Sequence, residues 1–369
     1  MTDPNGSIYP ELISTGLLLP IPQGPYVANG VTMSSFLVHA DHDKLQGHLD
    51  HYINDRDPDG EWEYKALIPN VLITYAHLMG DVFQEDGKKV GLMDENDLCF
   101  WVLCVAMRKT ALGIRIPSHL TWFVPFIFVD NPFAVVAGRE IYGFPKTVGR
   151  FLDADGVDIR RHQDHQIDVR NPTYRVDVLA FDKSQPDQLG TEQTLLSCEP
   201  LDEPSGHPGD TWTDPKQAVE GFVPHLTGHE QGMVHPSFLD EALDALLHLL
   251  KPDMNLLFLK QHRAAASIKR AGYQAIVEEP ISLTGFHGMG LYTHKYRLTL
   301  NPLWHYPIAE MLGIQNENGV LTPSVGSWSI VDFSNADANV RWQWPPLPDG
   351  ETPPEHRSGC MPLSGLFKK

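Results

Sequence analysis

Apolar and polar positions alternate along much of this chain, and the alternation predicts strands more often than helices. Strands are expected over Val31–Ala40 and Val71–Met79. Residues 98–107 and 120–129 are apolar runs rich in Val, Ile, Phe and Trp, the composition of buried strands. Tyr174–Asp182 places Tyr174, Val176, Val178 and Ala180 on one face. Phe151–Val169 reads as a hairpin with Gly156 in its first turn. Asn255–Gln261, Gln274–Glu279, Leu291–Leu300 and Trp328–Phe333 read as further strands. Helical spacing is confined to short stretches. These are Asp43–Ile53, a turn at Phe133–Arg139, Pro236–Leu250, and His305–Leu312, which ends at Gly313.

Between these segments the chain is irregular. Residues 1–30 form a Gly- and Pro-rich arm, Gln84–Lys89 a polar turn, and 183–235 a polar surface excursion. Residues 340–369 read as a Pro-rich C-terminal tail. No repeat or composition break divides the chain, so residues 1–369 are expected to form a single domain. The strands do not alternate with long helices, which argues against a parallel βαβ sheet and for a mostly-β (α+β) fold.

Composition narrows the class. A formal net charge of −19 over 369 residues should repel nucleic acid and anionic membrane surfaces. No apolar run approaches the roughly twenty residues of a transmembrane helix. The N-terminus shows neither a basic segment nor an apolar core, so no secretory signal is expected. Cys99, Cys104, Cys198 and Cys360 are scattered without a C-x-x-C pair, which suits a reduced, cytoplasmic protein.

The stretch Asp130–Phe151, DNPFAVVAGREIYGFPKTVGRF, carries the candidate chemistry. Lys146 sits among Phe133, Val135, Val136, Ile141, Tyr142, Phe144, Val148 and Phe151, and Gly143 and Pro145 bend the chain beside it. Such a bend can present one side chain into a cavity. A free lysine, with a pKa of about 10.4, is the neutral amine in only about one molecule in 2,500 at neutral pH. Burial that lowered the pKa to about 7 would disfavour the ammonium by about 4 kcal/mol. The amine could then attack a ketone, and the resulting iminium would draw electrons from the neighbouring carbon–carbon bond.

GREIYGFPK resembles the signature of the acetoacetate decarboxylase family, approximately G-R-E-x-x-x-[FY]-P-K-K. Gly138, Arg139, Glu140, Phe144, Pro145 and Lys146 match it, and the family's Schiff-base lysine falls on Lys146. Gly24-Pro25-Tyr26 resembles an early element of the family, and Asn255–Lys260 with Tyr273–Glu279 resembles its later strands. The resemblance spans about residues 20–182 and 253–335, and implies that 183–252 is an insertion carrying one helix. It implies a closed, conical antiparallel β-barrel with a few short helices, a homo-oligomer, and Schiff-base lyase chemistry on a small-molecule keto acid without a cofactor. That chemistry covers decarboxylation and aldol or dehydration reactions. The chain departs from the family at Thr147, where a second lysine is usual, and at Val31, where an arginine is. It departs again at Thr74 and Met107, which align with acidic positions. An alternative is a ligand-binding barrel that has lost decarboxylase turnover.

Other residues complete the expected site. Arg139 would bind a substrate carboxylate, and Glu140 would move or orient a proton. Tyr142 and Phe144 would form the pocket wall. Tyr273 is the candidate acid–base, with Gln274 beside it on the opposite face of a strand. His39 with His42 and His162 with His165 lack further ligands at metal spacing, so no metal site is expected. Repeated β-α units, which a lysine aldolase on a TIM barrel would need, are missing.

Overall fold

The computed structural model describes residues 26–83, 89–162, 164–201, 209–227, 254–335 and 338–344. Seven strands form its centre. They are β1 (Tyr26–His39), β3 (Asn70–Phe83), β4 (Lys89–Lys109), β5 (Arg115–Val129), β11 (Met254–Ala264), β12 (Ser267–Leu291) and β15 (Val325–Asn335). Their pairings run in a ring, β4-β3-β1-β15-β12-β11-β5 and back to β4. The ring is antiparallel except where β5 meets β11 in parallel over Thr121–Phe123. There the Thr121 hydroxyl donates to the carbonyl of Asn255 at 3.0 Å. The edge strands β2 (Trp62–Ala66), β6 (Lys146–Val148), β10 (Thr211–Trp212) and β16 (Asn339–Trp344) extend the same sheet.

A second sheet contains β7 (Arg150–Leu152), β8 (Tyr174–Ala180), β9 (Thr191–Pro200), β13 (Tyr296–Leu300) and β14 (Val320–Leu321). The main core lies between the two sheets, where Phe36, Ile73, Phe100 and Phe128 meet Val176, Leu196 and Leu298. Strand alternation then turns the intervening residues of β1, β3 and β4 to the other face, where they line a cavity. The described helices are α1 (His42–Tyr52), α2 (Pro132–Ala137), α3 (Pro215–Thr227) and α4 (Ile308–Leu312). None is long and apolar enough to cross a membrane. In α4, Gly313 at φ 65° supplies the left-handed residue that stops the helix.

Three readings change. Phe151–Val169 is not a hairpin, because β7 pairs with β8 across a loop. Within the expected excursion, β9 lies inside the second sheet between β8 and β13; its apolar residues were hidden by polar flanks. Residues 340–344 of the expected tail belong to β16, which pairs with β12. The helix expected over Pro236–Leu250 and the tail beyond 344 lie outside the described residues.

Glu278, wholly buried on β12, ties the sheet edge together. It accepts from Arg341 Nε at 2.8 Å and lies 3.1 Å from His119 Nε2. Burial pushes the Glu278 carboxyl up, but His119 and Arg341 outweigh it and hold the pKa below its usual value of 4.5. A carboxylate with a lowered pKa adds stability above its unfolded pKa and loses it as the pH falls. Arg341→Met should therefore destabilise the protein by about 3 kcal/mol at pH 7, with the deficit fading below about pH 4.5. Urea denaturation at several pH values measures this, and a pH-independent deficit would contradict it.

Candidate active site

A short chain of local structure delivers Lys146 to the cavity. Asn131 caps α2, its side chain accepting from the Phe133 N–H at 3.0 Å, and Pro132 occupies the first turn. The helix widens into a π-helical turn over Gly138–Tyr142. Such turns are often found at functional sites. Gly143 closes the turn at φ 85°, donating its N–H to Gly138. A Cβ at this position would lie 2.5 Å from the Cβ and 2.8 Å from the Cα of Lys260, so only glycine fits. Phe144 and Pro145 follow, and Lys146 enters β6 opposite Ile127. The lysine stem lies over Gly138, where a Cβ would come within 2.8 Å of Lys146 Cδ.

The cavity has a volume of about 340 Å³ and is walled by all seven strands of the ring. Its surface is mainly aliphatic and aromatic. Lys146 is 6% exposed, and its Nζ lies 2.7 Å from Glu95 Oε2 and 3.6 Å from Asp97 Oδ2. It also stands 5.6 Å from the centre of the Phe144 ring. Glu95 and Asp97 are buried too, two residues apart on β4 and therefore on one face. On the opposite face, Asn96 donates from its backbone and side chain to Asp130 and accepts from the Tyr75 hydroxyl. That network anchors the strand carrying the two acids.

The electrostatics differ from the sequence expectation. Burial alone would lower the Lys146 pKa, but Asp97 and Glu95 outweigh it and raise the pKa above the usual 10.5. The resting lysine is an ammonium, not a desolvated amine. Burial pushes the Asp97 carboxyl well above the carboxylate range, the Glu95 charge adds to this, and Lys146 opposes it. Asp97 is thereby poised as a proton donor. Its Oδ1 is buried without a hydrogen-bond partner among the described residues.

The candidate residues separate into two groups. Lys146, Tyr142 and Phe144 line the cavity. Arg139 and Glu140 point to the exposed side of the turn, where Arg139 Nη1 donates to the Lys146 carbonyl at 3.1 Å. Tyr273 packs near His262, with ring centres 6.0 Å apart, and Gln274 donates to Gln261 at 3.1 Å. Arg139, Glu140, Tyr273 and Gln274 are thus not among the residues of the cavity wall. The stretch of β12 that reaches the wall is Ile281 and Leu283, farther along a strand longer than its apolar pattern announced. Sequence reasoning missed Glu95 and Asp97, assigning the acidic positions to Thr74 and Met107. Thr74 lines the cavity and Met107 does not. The signal was present in MDENDLCFW, where period two puts both acids on the face of Cys99 and Trp101. Among the described residues no group of three potential ligands could hold a metal.

No sequence-family model and no curated protein matches the chain. Solved structures do. An acetoacetate decarboxylase from Legionella pneumophila superposes with a TM-score of 0.52 at 15% identity, covering 92% of this chain and 93% of its own. The chain has the acetoacetate decarboxylase fold. A second acetoacetate decarboxylase structure gives 0.50 at 15% identity, covering 91% of this chain and 97% of its own.

Removing the lysine would strand two buried acids. Lys146→Met should destabilise the fold by about 3–5 kcal/mol at pH 8. The unpaired carboxyls would then bind protons more tightly folded than unfolded, so the deficit should shrink as the pH falls toward 5. Chemical denaturation across that range checks this, and a small, pH-independent loss would contradict the pairing.

Proposed function

We propose that this protein is a Schiff-base-forming carbon–carbon lyase that acts on a keto acid through Lys146. The observation that carries the reading is a buried lysine set between Glu95 and Asp97 on the wall of an apolar cavity. The acetoacetate decarboxylase fold and the GREIYGFPK motif support it.

In the resting site Lys146 is an ammonium held by Glu95. A ketone that fills the cavity expels water, and in the drier site the ion pair can pass its proton from Nζ to the Glu95 carboxylate. The amine attacks the carbonyl carbon, and the oxygen takes a proton from Asp97. Nitrogen returns a proton to Asp97, and the hydroxyl leaves as water with the proton held by Glu95. This leaves an iminium on Lys146 facing the Glu95 carboxylate. The bond to the carboxylate carbon breaks, its electron pair moves to the iminium as an enamine, and carbon dioxide departs. Asp97 protonates the enamine carbon, solvent restores the Asp97 proton, and water hydrolyses the iminium. The same enamine could attack an aldehyde, which gives the aldol variant. With this reading go a cytoplasmic location, in keeping with the free thiols of Cys99, Cys104 and Cys198, and a homo-oligomeric state.

One observation favours the competing reading of a ligand-binding protein without turnover, namely the hold of two carboxylates on the ammonium. Trapping separates the two. Borohydride added with a panel of keto acids should place a reduced adduct on the peptide containing Lys146, and carbon dioxide should be released without borohydride. Adduct without carbon–carbon cleavage would support binding alone, and no adduct with any carbonyl compound would overturn the lyase reading.

A further inference from the structure

We propose that the cavity selects its keto acid by a hydrocarbon chain, and that the preferred substrate is a medium-chain β-keto acid of about eight to ten carbons. This rests on Lys146 as the imine-forming residue and names the substrate class that residue serves.

The first argument is size. A cavity of about 150 Å³ is filled by benzene, with its six heavy atoms. Acetoacetate is little larger, yet the space here is about 340 Å³. That is room for about a dozen heavy atoms, the count of a β-keto acid with a chain well beyond acetoacetate's. On β4 the cavity's lining residues run from Met93 to Trp101, with Glu95 and Asp97 between the ends. An elongated substrate can therefore react at Lys146 while its chain follows the strand direction.

The second argument is chemistry. Leu78, Leu256, Ile281, Leu283, Val331 and Phe333 come from four different strands, and all present hydrocarbon to the space. Lys146 is the sole basic side chain among the described lining residues. Val31 stands in the wall, and Arg139 lies on the exposed side of the turn with its guanidinium on a backbone carbonyl. Once Lys146 has become an iminium paired with Glu95, no other cation among the described lining residues is there to hold a substrate carboxylate. Binding must then come from buried chain. The uncompensated carboxylate is the group the cavity holds least well, and it is the group lost as carbon dioxide.

The experiment compares acetoacetate, β-ketohexanoate, β-ketooctanoate and β-ketodecanoate with the full-length protein. Their neutral product ketones, from acetone to nonan-2-one, are tested in parallel as competitors and as borohydride-trapped adducts. Each methylene that enters the cavity should raise kcat/KM about three- to fourfold, so the series should climb at least a hundredfold from end to end. Nonan-2-one should label Lys146 at far lower concentration than acetone. Val331→Trp should move the optimum to a shorter chain. A series that is flat or falls with length, while Lys146 still traps ketones, overturns chain selection and leaves the imine chemistry standing. Failure of every compound to label Lys146 overturns both.

Discussion

A buried ammonium shared between two carboxylates is the interaction on which the rest of this structure depends. An apolar cavity cannot hold an isolated charge, so a lysine inside it must give up its proton or find a partner. Here it finds two, Glu95 and Asp97, at 2.7 and 3.6 Å. Two acids with one base leave a surplus of negative charge, and the surplus is relieved at Asp97, whose carboxyl is pushed toward its protonated form. The site therefore contains an ammonium, its base and an acid within one contact shell. Those are the groups that making and hydrolysing an imine requires.

The fold exists to bring these groups together from distant parts of the chain. The acids ride on β4, whose alternation turns Glu95 and Asp97 inward and Asn96 outward into its bond with Asp130. The lysine arrives on a different element, after a π-helical turn that only glycine can close at position 143. Ring closure makes the cavity. The parallel seam between β5 and β11 joins the two ends of the sheet, and its neighbours Val124, Leu256 and Phe258 form part of the wall. The second sheet packs on the outer face of the ring, so core and cavity lie on opposite sides of the same strands.

The sequence made part of this legible. Short-range signals were dependable: Gly143 and Pro145 announced a bend, Gly313 announced a helix end, and the alternation of Tyr174–Ala180 announced a strand. Long-range pairing was not visible. Nothing local says that β9 lies between β8 and β13, or that β12 runs unbroken for 25 residues across polar and glycine-rich stretches. The same limit explains the site. Lys146 could be singled out because its motif is contiguous, whereas Glu95 and Asp97 lie about fifty residues away and matter only through the β4–β5–β6 arrangement. Tyr273 and Gln274 were read from sequence order near a strand, without the register that places them beyond the cavity wall.

Lysine activation accordingly takes a different form from the one burial alone would give. A desolvated lysine would be an amine at rest, ready but unpaired. This one rests as an ion pair, and in the proposed mechanism its nucleophile is released when a bound carbonyl compound drives water out. Titration of the Lys146 side-chain nitrogen by NMR in the ligand-free protein tests this most directly. The expected result is an ammonium that persists beyond pH 10.5, the usual lysine value. A midpoint near pH 7, about the value a desolvated amine nucleophile would show, would contradict it.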